Sequence, residues 1–228
     1  MAKKFRGRLD ILPPAQRHLW GELAAVPVYF ALYGGTALAL HLGHRQSEDF
    51  DFFADRNIDP AELYRTTPFL RGSQITQQEP NTLTCLVDRG GPVKISFFGL
   101  PHLARIREPA IAESNGLKIA SLLDIAGTKA AVVQQRAQAR DYVDIDALIV
   151  QGGVDLPTQL AAARAIYGPH FVGQRQPAGA GKSATDETFA PHASAPQRRQ
   201  AHRLVQAPRG GPRQPRGAAR LRHEACHR

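Results

Sequence analysis

The chain has 228 residues, which is enough for one domain of ordinary size or two small ones. Its 43% hydrophobic content excludes a chain that is disordered throughout, and its two cysteines exclude both a disulfide scaffold and a CxxC metal site. The formal net charge of +9 suggests a nucleic-acid binder only if that charge is spread over the folded part.

The positive charge is concentrated at the end of the chain. Residues 172–228 contain eleven Lys and Arg against three acidic residues, whereas residues 1–171 contain 18 basic and 17 acidic residues. The terminal segment is rich in Pro, Gly, Ala and Arg, so it cannot bury enough apolar surface to offset its conformational entropy. We predict a disordered basic tail at 172–228. It is either an arm that contacts phosphate backbones or, as we favour, the product of a frameshift in GC-rich DNA.

The most apolar stretch of the chain is Leu23–Leu42. Pro27, the Gly34-Gly35 pair and His41 interrupt it, which favours a buried strand followed by a buried helix over a membrane span. The basic N-terminus is not followed by the apolar run of a signal peptide. We therefore expect a cytoplasmic protein that does not contact a membrane.

The first part of the chain alternates helices and strands. The predicted elements are a helix opened by Pro13-Pro14, a buried strand at 28–33, a glycine turn and short helix at 34–42, a strand at 47–53, a helix at 60–70 capped by Asp59, a hairpin at 74–88 and a strand at 93–98. After Pro101 the pattern becomes helical. It predicts two helices or one broken helix at 119–135 and 137–150, and a further helix at 156–166. The fold class that follows is α+β.

The glycine turn is the first candidate site. Gly34 and Gly35 end a strand and begin a helix, where missing side chains and free backbone N–H groups favour a phosphate, and Thr36 adds a hydroxyl. The alternative is a turn that merely requires positive φ.

The second candidate site is an aspartate pair on the next strand. The two-residue period places the carboxylates of Asp49 and Asp51 on one face and Phe50 and Phe52 on the other. Two neighbouring carboxylates repel unless a divalent cation lies between them, and Mg²⁺ uses such ligands together with substrate phosphates. The alternative is an exposed polar strand face.

The short distance in sequence between the two features favours one site. Only a short segment with Arg45 and Ser47 separates the glycine turn from the aspartate pair. A phosphate-binding turn beside a metal-binding pair is the arrangement that metal-assisted nucleotidyl transfer requires.

The motif GGTALALHLGHRQSEDFDFF at 34–53 resembles the opening motif of the AbiEii/AbiGii toxin family, which belongs to the DNA polymerase β-like nucleotidyltransferases. The segment SLLDIAGTKAAVVQQRAQARDYVDIDALI at 121–149 resembles the later pattern of that family, a helical Lys followed by Arg-Asp-x-x-Asp. With YGPHF at 167–171, the resemblance covers about residues 10–171.

The resemblance implies a fold, a domain division and a set of site residues. It implies a nucleotidyltransferase core at 1–115, with a small mixed sheet and flanking helices, and a helical region at 116–171 that completes the cleft. The implied catalytic residues are Asp49, Asp51, Lys129, Asp141 and Asp144, with metal on Asp49 and Asp51; the expected nucleotide-binding residues are Gly34, Gly35, Thr36, Arg45, Ser47, Arg136 and Arg140.

Helical spacing supports part of this set. Lys129, Arg136 and Arg140 would share one face if their helix were continuous. The alternative is a solvated face on which Arg140 pairs with Asp144 at i,i+4.

One departure from polymerase β-like enzymes concerns the third carboxylate that many of them carry on a later strand. The strand VKISFFG offers Lys94 and Ser96 there, so metal chemistry would rest on two carboxylates or recruit Asp141. We interpret His41 and His44 as packing or surface residues.

The resemblance implies a Mg²⁺-dependent enzyme that transfers a nucleoside monophosphate from an NTP to an acceptor hydroxyl. It further implies an RNA acceptor such as tRNA, with protein hydroxyls left open, and a cognate antitoxin encoded nearby. Two alternatives remain: an inactive remnant of such a toxin, truncated or frameshifted, and a nucleic-acid binder that acts through the basic tail.

Overall fold

A mixed β-sheet forms the centre of the computed structural model, which describes residues 4–135 and 138–168. The sheet has eight strands in the order β1-β7-β8-β2-β3-β6-β5-β4. The strands are β1 Lys4–Phe5, β2 Phe30–Tyr33, β3 Asp49–Ala54, β4 Gln74–Glu79, β5 Thr82–Asp88, β6 Pro92–Gly99, β7 Ala110–Ala112 and β8 Lys118–Ile119.

Strand β3 lies near the middle of this sheet. It pairs antiparallel with β2, where Tyr33 is opposite Asp51, and parallel with β6, where Asp49 is opposite Lys94 and Asp51 is opposite Ser96. The carboxylates of β3 therefore lie between two strands. Strand β2 leads directly into the glycine turn, and β6 carries Lys94. The α+β class with a mixed sheet and flanking helices is confirmed.

Six α-helices accompany the sheet in the described residues. They are α1 Pro14–Trp20, α2 Gly34–Leu42, α3 Pro60–Thr66, α4 Leu122–Gln135, α5 Ala139–Val150 and α6 Leu156–Tyr167. Each predicted helix is present, although α3 ends at Thr66 and a short 3-10 turn at Pro68–Leu70 follows it. The Asp59 carboxylate caps α3 by accepting from the backbone N–H groups of Ala61 and Glu62.

One sequence prediction for the later part of the chain is wrong. The segment after Pro101 is not entirely helical, because β7 and β8 add to the sheet through β8–β2 pairing. These strands have three and two residues, too short for a periodic pattern to be seen. The later helices α4 and α5 are separate, which is one of the two predicted alternatives, because Gln138 between them is extended, with φ −96° and ψ 149°.

The core lies on the face of β3 opposite its carboxylates. Phe50 and Phe52 are fully buried there, Phe52 stacks on Phe97 of β6 at 5.1 Å between ring centroids, and Trp20 of α1 lies 6.3 Å from Phe50. Burial of these aromatic rings favours the register in which they face the core. In that register the side chains of Asp49 and Asp51 lie on the opposite face of β3. The predicted alternation on this strand is confirmed at these positions.

A buried carboxylate fixes the start of α4. Asp124 accepts from the backbone N–H groups of Ile106 and Arg107 at 2.8 and 3.1 Å, and the Ser121 hydroxyl donates to it while accepting from the Asp124 backbone N–H. This reciprocal cap joins the helix to the loop that precedes β7. The position of Lys129, further along α4, depends on it.

None of the helices in the described ranges is long and apolar enough to cross a membrane. The apolar stretch at 23–42 forms β2 and α2 instead, as predicted. The predicted tail at 172–228 lies outside the described residues. The proposed division at residue 115 stays a prediction, and β8 beyond that boundary shares the sheet with β2.

Helices α4 and α6 approach closely at Gly127, which leads to a first prediction. A Cβ added there would lie 2.8 Å from the Ala162 carbonyl carbon and 3.0 Å from the Ala163 backbone nitrogen. We expect Gly127→Ala to destabilise the fold by about 1–3 kcal/mol, because the neighbouring backbone must shift. Urea unfolding monitored by circular dichroism measures this change. The control is Gly21→Ala, because no atom lies within 4 Å of the added Cβ, and its free energy of unfolding should be nearly that of wild type. Equal stability of the two variants would contradict the close packing of α4 against α6.

Candidate active site

Gly34 brings the start of α2 into contact with the aspartate strand. Its φ is +71°, and a Cβ added to it would lie 2.5 Å from Asp51 Oδ2. Both facts exclude a side chain at this position, the first because of the left-handed backbone and the second because of the close approach. The turn and the carboxylate, which the sequence predicted as neighbours, are therefore in contact.

Gly35 faces two polar side chains from the segment after α2. A Cβ on Gly35 would lie 2.7 Å from Ser47 Oγ and 2.8 Å from Arg45 Nη2. The N-terminal turn of α2 thus has a hydroxyl and a guanidinium beside its first backbone amides. A helix N-terminus already favours an anion, and an adjacent guanidinium adds to that preference.

Thr36 ties the turn to the aspartate strand through the backbone. Its side chain is fully buried, and its hydroxyl donates to the carbonyl of Asp49, with the carbonyl of Ser47 also within 3.4 Å. The hydroxyl is used to hold the segment that leads into β3. Thr36 therefore holds the backbone of β3 against the start of α2. Because its hydroxyl donates to the Asp49 carbonyl, only its backbone N–H would be left to contact a phosphate.

Asp49 and Asp51 lie on the same face of β3, both partly exposed. Asp49 Oδ2 is 3.7 Å from the Lys94 ammonium on β6. Two carboxylates fit Mg²⁺, which binds through one or two carboxylates and completes its shell with water and phosphate oxygens. No group of three or more His, Cys, Asp or Glu side chains that could hold a metal occurs in the described part of the chain.

A buried ionic network lies beside Arg45. The carboxylate of Asp144, fully buried on α5, accepts from Arg45 Nε at 2.7 Å and Arg45 Nη2 at 2.8 Å, and from His44 Nε2 at 2.8 Å. The ammonium of Lys129 on α4 lies 2.6 Å from Asp144 Oδ2 and 3.6 Å from Asp141 Oδ1. Asp141 is fully buried as well. The network therefore joins both helices to the segment after α2.

The surroundings of Asp144 determine its charge. Burial alone would raise the pKa of its carboxyl, but hydrogen bonds from His44 and Arg45 and the nearby Lys129 ammonium outweigh burial and hold that pKa well below its usual range. Asp144 is therefore ionised at neutral pH. Its bidentate bond to Arg45 fixes the guanidinium beside Gly35.

Of the two predicted arginines on the later helices, Arg140 is not part of this network. Arg140 is exposed on α5, and its Nε donates to Gln138 Oε1 at 2.9 Å, so the alternative pairing with Asp144 does not form. The common face of Lys129 and Arg140 required one continuous helix, and it does not form because they lie on separate helices. Arg136 lies outside the described residues. A nucleotide-binding role of Arg140 stays a prediction.

His44 is the site residue that sequence reasoning missed. Of the two interpretations given for it, a surface position is wrong because its side chain is 2% exposed, and packing is incomplete because the ring is also hydrogen-bonded to Asp144. The partner lies 100 residues later in the chain, so no local pattern indicates it. His41 does fulfil a packing role, with its Nε2 donating to the carbonyl of Ala120 and its ring against Phe5.

The family model described as "Nucleotidyl transferase AbiEii toxin, Type IV TA system" matches residues 19–208. The chain belongs to the AbiEii family. The description of that family names a nucleotidyl transferase toxin of a type IV toxin–antitoxin system. The AbiEii match extends beyond Phe171 into the segment that the sequence analysis predicted as a disordered tail.

Two individual proteins are also similar to this AbiEii chain. An uncharacterized protein of Aquifex aeolicus (strain VF5) is 35% identical over 129 residues, which are 56% of this chain and 61% of that protein. The chain therefore spans less than two thirds of this relative's length. A crystal structure of an H. pylori protein assigned as a nucleotidyltransferase has 22% sequence identity and a TM-score of 0.47, over 63% of this chain and 69% of the other.

A second prediction tests the buried network of the AbiEii chain. Asp144→Asn should lower the free energy of unfolding at pH 7 by about 3–5 kcal/mol, because it leaves buried cations without their carboxylate. Since the pKa of Asp144 is lower in the folded chain, the wild type holds this advantage above about pH 4 and loses it as the pH falls further. Denaturant unfolding at pH 7 and pH 3 measures both effects.

The matched control is Asp146→Asn, an exposed aspartate on the same helix. It should change stability by no more than about 0.5 kcal/mol. A stability of Asp144→Asn within about 1 kcal/mol of wild type at pH 7 would contradict the structural role assigned to the network.

Proposed function

We propose that the chain transfers a nucleoside monophosphate from an NTP to a hydroxyl of RNA, with Mg²⁺ held by Asp49 and Asp51. The observation that carries this proposal is the contact between the glycine turn and Asp51. This contact brings the N-terminus of α2, which favours an anion, next to the carboxylate pair of β3. The RNA acceptor, for which tRNA is the first candidate, is inferred from the family resemblance alone, because residues 1–171 are nearly neutral in charge.

The start of α2 would bind the β- and γ-phosphates. Gly34 and Gly35 carry no side chain of their own that would cover their N–H groups, and Arg45 supplies a fixed positive charge beside Gly35. Ser47 adds a hydroxyl donor at the same point. This arrangement fixes the orientation of the triphosphate so that its α-phosphate is directed toward β3.

Asp49 and Asp51 would hold the cation that contacts the α-phosphate. Bound there, Mg²⁺ would supply charge stabilisation to the phosphoryl oxygens during the displacement. The acceptor hydroxyl attacks the α-phosphorus, the bond to the bridging oxygen breaks, pyrophosphate leaves with that oxygen, and the hydroxyl proton passes to a carboxylate or to water. The two partly exposed aspartates are accessible to both reactants.

Lys129, Asp141 and Asp144 would contribute through Arg45. Their side chains are buried and bonded to one another, so we assign Lys129 and Asp144 to positioning the phosphate-binding guanidinium. These residues, predicted from the resemblance to be catalytic, would then act by positioning Arg45 and would not contact the substrate. We place the reaction in the cytoplasm, where NTPs and RNA are available.

A third prediction tests the carboxylate pair. Asp51→Asn should lower label transfer from α-³²P-NTPs to total RNA by at least about 100-fold, because it removes charge at the reacting phosphate while keeping the shape of the side chain. The assay uses Mg²⁺ and each of the four NTPs. Circular dichroism of the variant shows whether it is folded.

Glu48→Gln is the matched control, since Glu48 is an exposed acid next to Asp49. It should retain most of the wild-type transfer. Wild-type transfer by Asp51→Asn would contradict the assignment of the pair. Absence of transfer from folded wild-type protein with every NTP would favour an inactive remnant.

A further inference from the structure

A lysine occupies the strand position next to the carboxylate pair. In the parallel pairing of β3 with β6, Lys94 is opposite Asp49 and Ser96 is opposite Asp51. Residues opposite each other on adjacent strands point to the same face, so Lys94 shares the face of the two aspartates. Its ammonium is 3.7 Å from Asp49 Oδ2.

This ion pair is accessible to solvent. The Lys94 side chain is 42% exposed and that of Asp49 is 30% exposed. Such pairs stabilise a fold by little, so the lysine can leave its partner at small cost in free energy. Its stem of four carbons lets the ammonium move over several ångströms.

The ammonium competes with a divalent cation for the same carboxylate. While Lys94 is paired with Asp49, it reduces the negative charge that attracts a cation to β3 and repels the cation itself. An NTP brings phosphate oxygens to which the ammonium can turn. Release of Asp49 then coincides with the arrival of the nucleotide.

We infer that Lys94 is an exchangeable counter-ion of the active site, paired with Asp49 in the absence of nucleotide and with a phosphate oxygen of the NTP in its presence. The divalent cation then binds weakly alone and tightly together with the NTP. This inference rests on the proposed function, because it takes Asp49 and Asp51 as the cation ligands. It gives Lys94 a role in coupling the two bindings, since a ligand shifts such an equilibrium only through its different affinity for the two states.

The coupling predicts opposite changes in two affinities. Lys94→Met removes the charge and keeps the apolar stem. It should bind Mn²⁺ alone about three- to tenfold more tightly than wild type, because the competing ammonium is gone. It should bind Mn²⁺ with α,β-methylene NTP analogues about tenfold more weakly, because a phosphate contact is lost. Electron paramagnetic resonance of free Mn²⁺ and calorimetry with each of the four analogues measure the two constants.

Two further variants complete the experiment. Lys118→Met removes a lysine from β8, on the other side of β2, and should leave both constants within about twofold of wild type. Lys94→Arg keeps the charge and should remain near wild type for Mn²⁺ alone. Thermal unfolding of each variant shows whether the fold is intact.

Opposite shifts in Lys94→Met would support the inference. An unchanged Mn²⁺ affinity, or shifts of both affinities in the same direction, would overturn it while leaving the proposed function intact. Mn²⁺ binding in the presence of the NTP analogues that is equal in wild type and Asp51→Asn would overturn the proposed function and this inference together.

Discussion

The buried carboxylate of Asp144 holds together parts of the chain that are about a hundred residues apart. It accepts two hydrogen bonds from Arg45 and one from His44, and it lies 2.6 Å from the Lys129 ammonium. Any one of these groups buried alone would be strongly unfavourable, whereas together their charges and hydrogen bonds compensate one another. The position of Arg45 beside Gly35 depends on this compensation.

The site consequently has two parts that different forces maintain. The aspartate pair on β3 is oriented by the aromatic residues that alternate with it, since Phe50 and Phe52 are fully buried on the opposite face. The glycine turn is oriented by polar contacts, namely the Thr36 hydroxyl on the Asp49 carbonyl and the two Arg45 hydrogen bonds to Asp144. Hydrophobic burial sets the face of the strand, and charge-assisted hydrogen bonds set the direction of the guanidinium.

The sequence predicted those features that local chemistry determines. The two-residue period around Asp49 and Asp51 and the glycine turn at 34–36 carry their own physical reasons, and both predictions hold. The short strands β7 and β8 were missed, because their existence depends on tertiary pairing. The role of His44 was missed for the same reason, since its partner is distant in sequence. Lys129 and Asp144 were predicted as site residues from the family resemblance and not from their spacing in the sequence.

The central claim is that the glycine turn and the aspartate pair bind one nucleotide. A crystal structure with Mn²⁺ and an α,β-methylene NTP analogue, in which an anomalous difference map locates manganese, tests it most directly. The account predicts a manganese peak at the carboxylates of Asp49 and Asp51, with the β- and γ-phosphates at the backbone N–H groups of Gly34 and Gly35 and beside Arg45. A nucleotide bound elsewhere, or manganese bound away from β3, would contradict it.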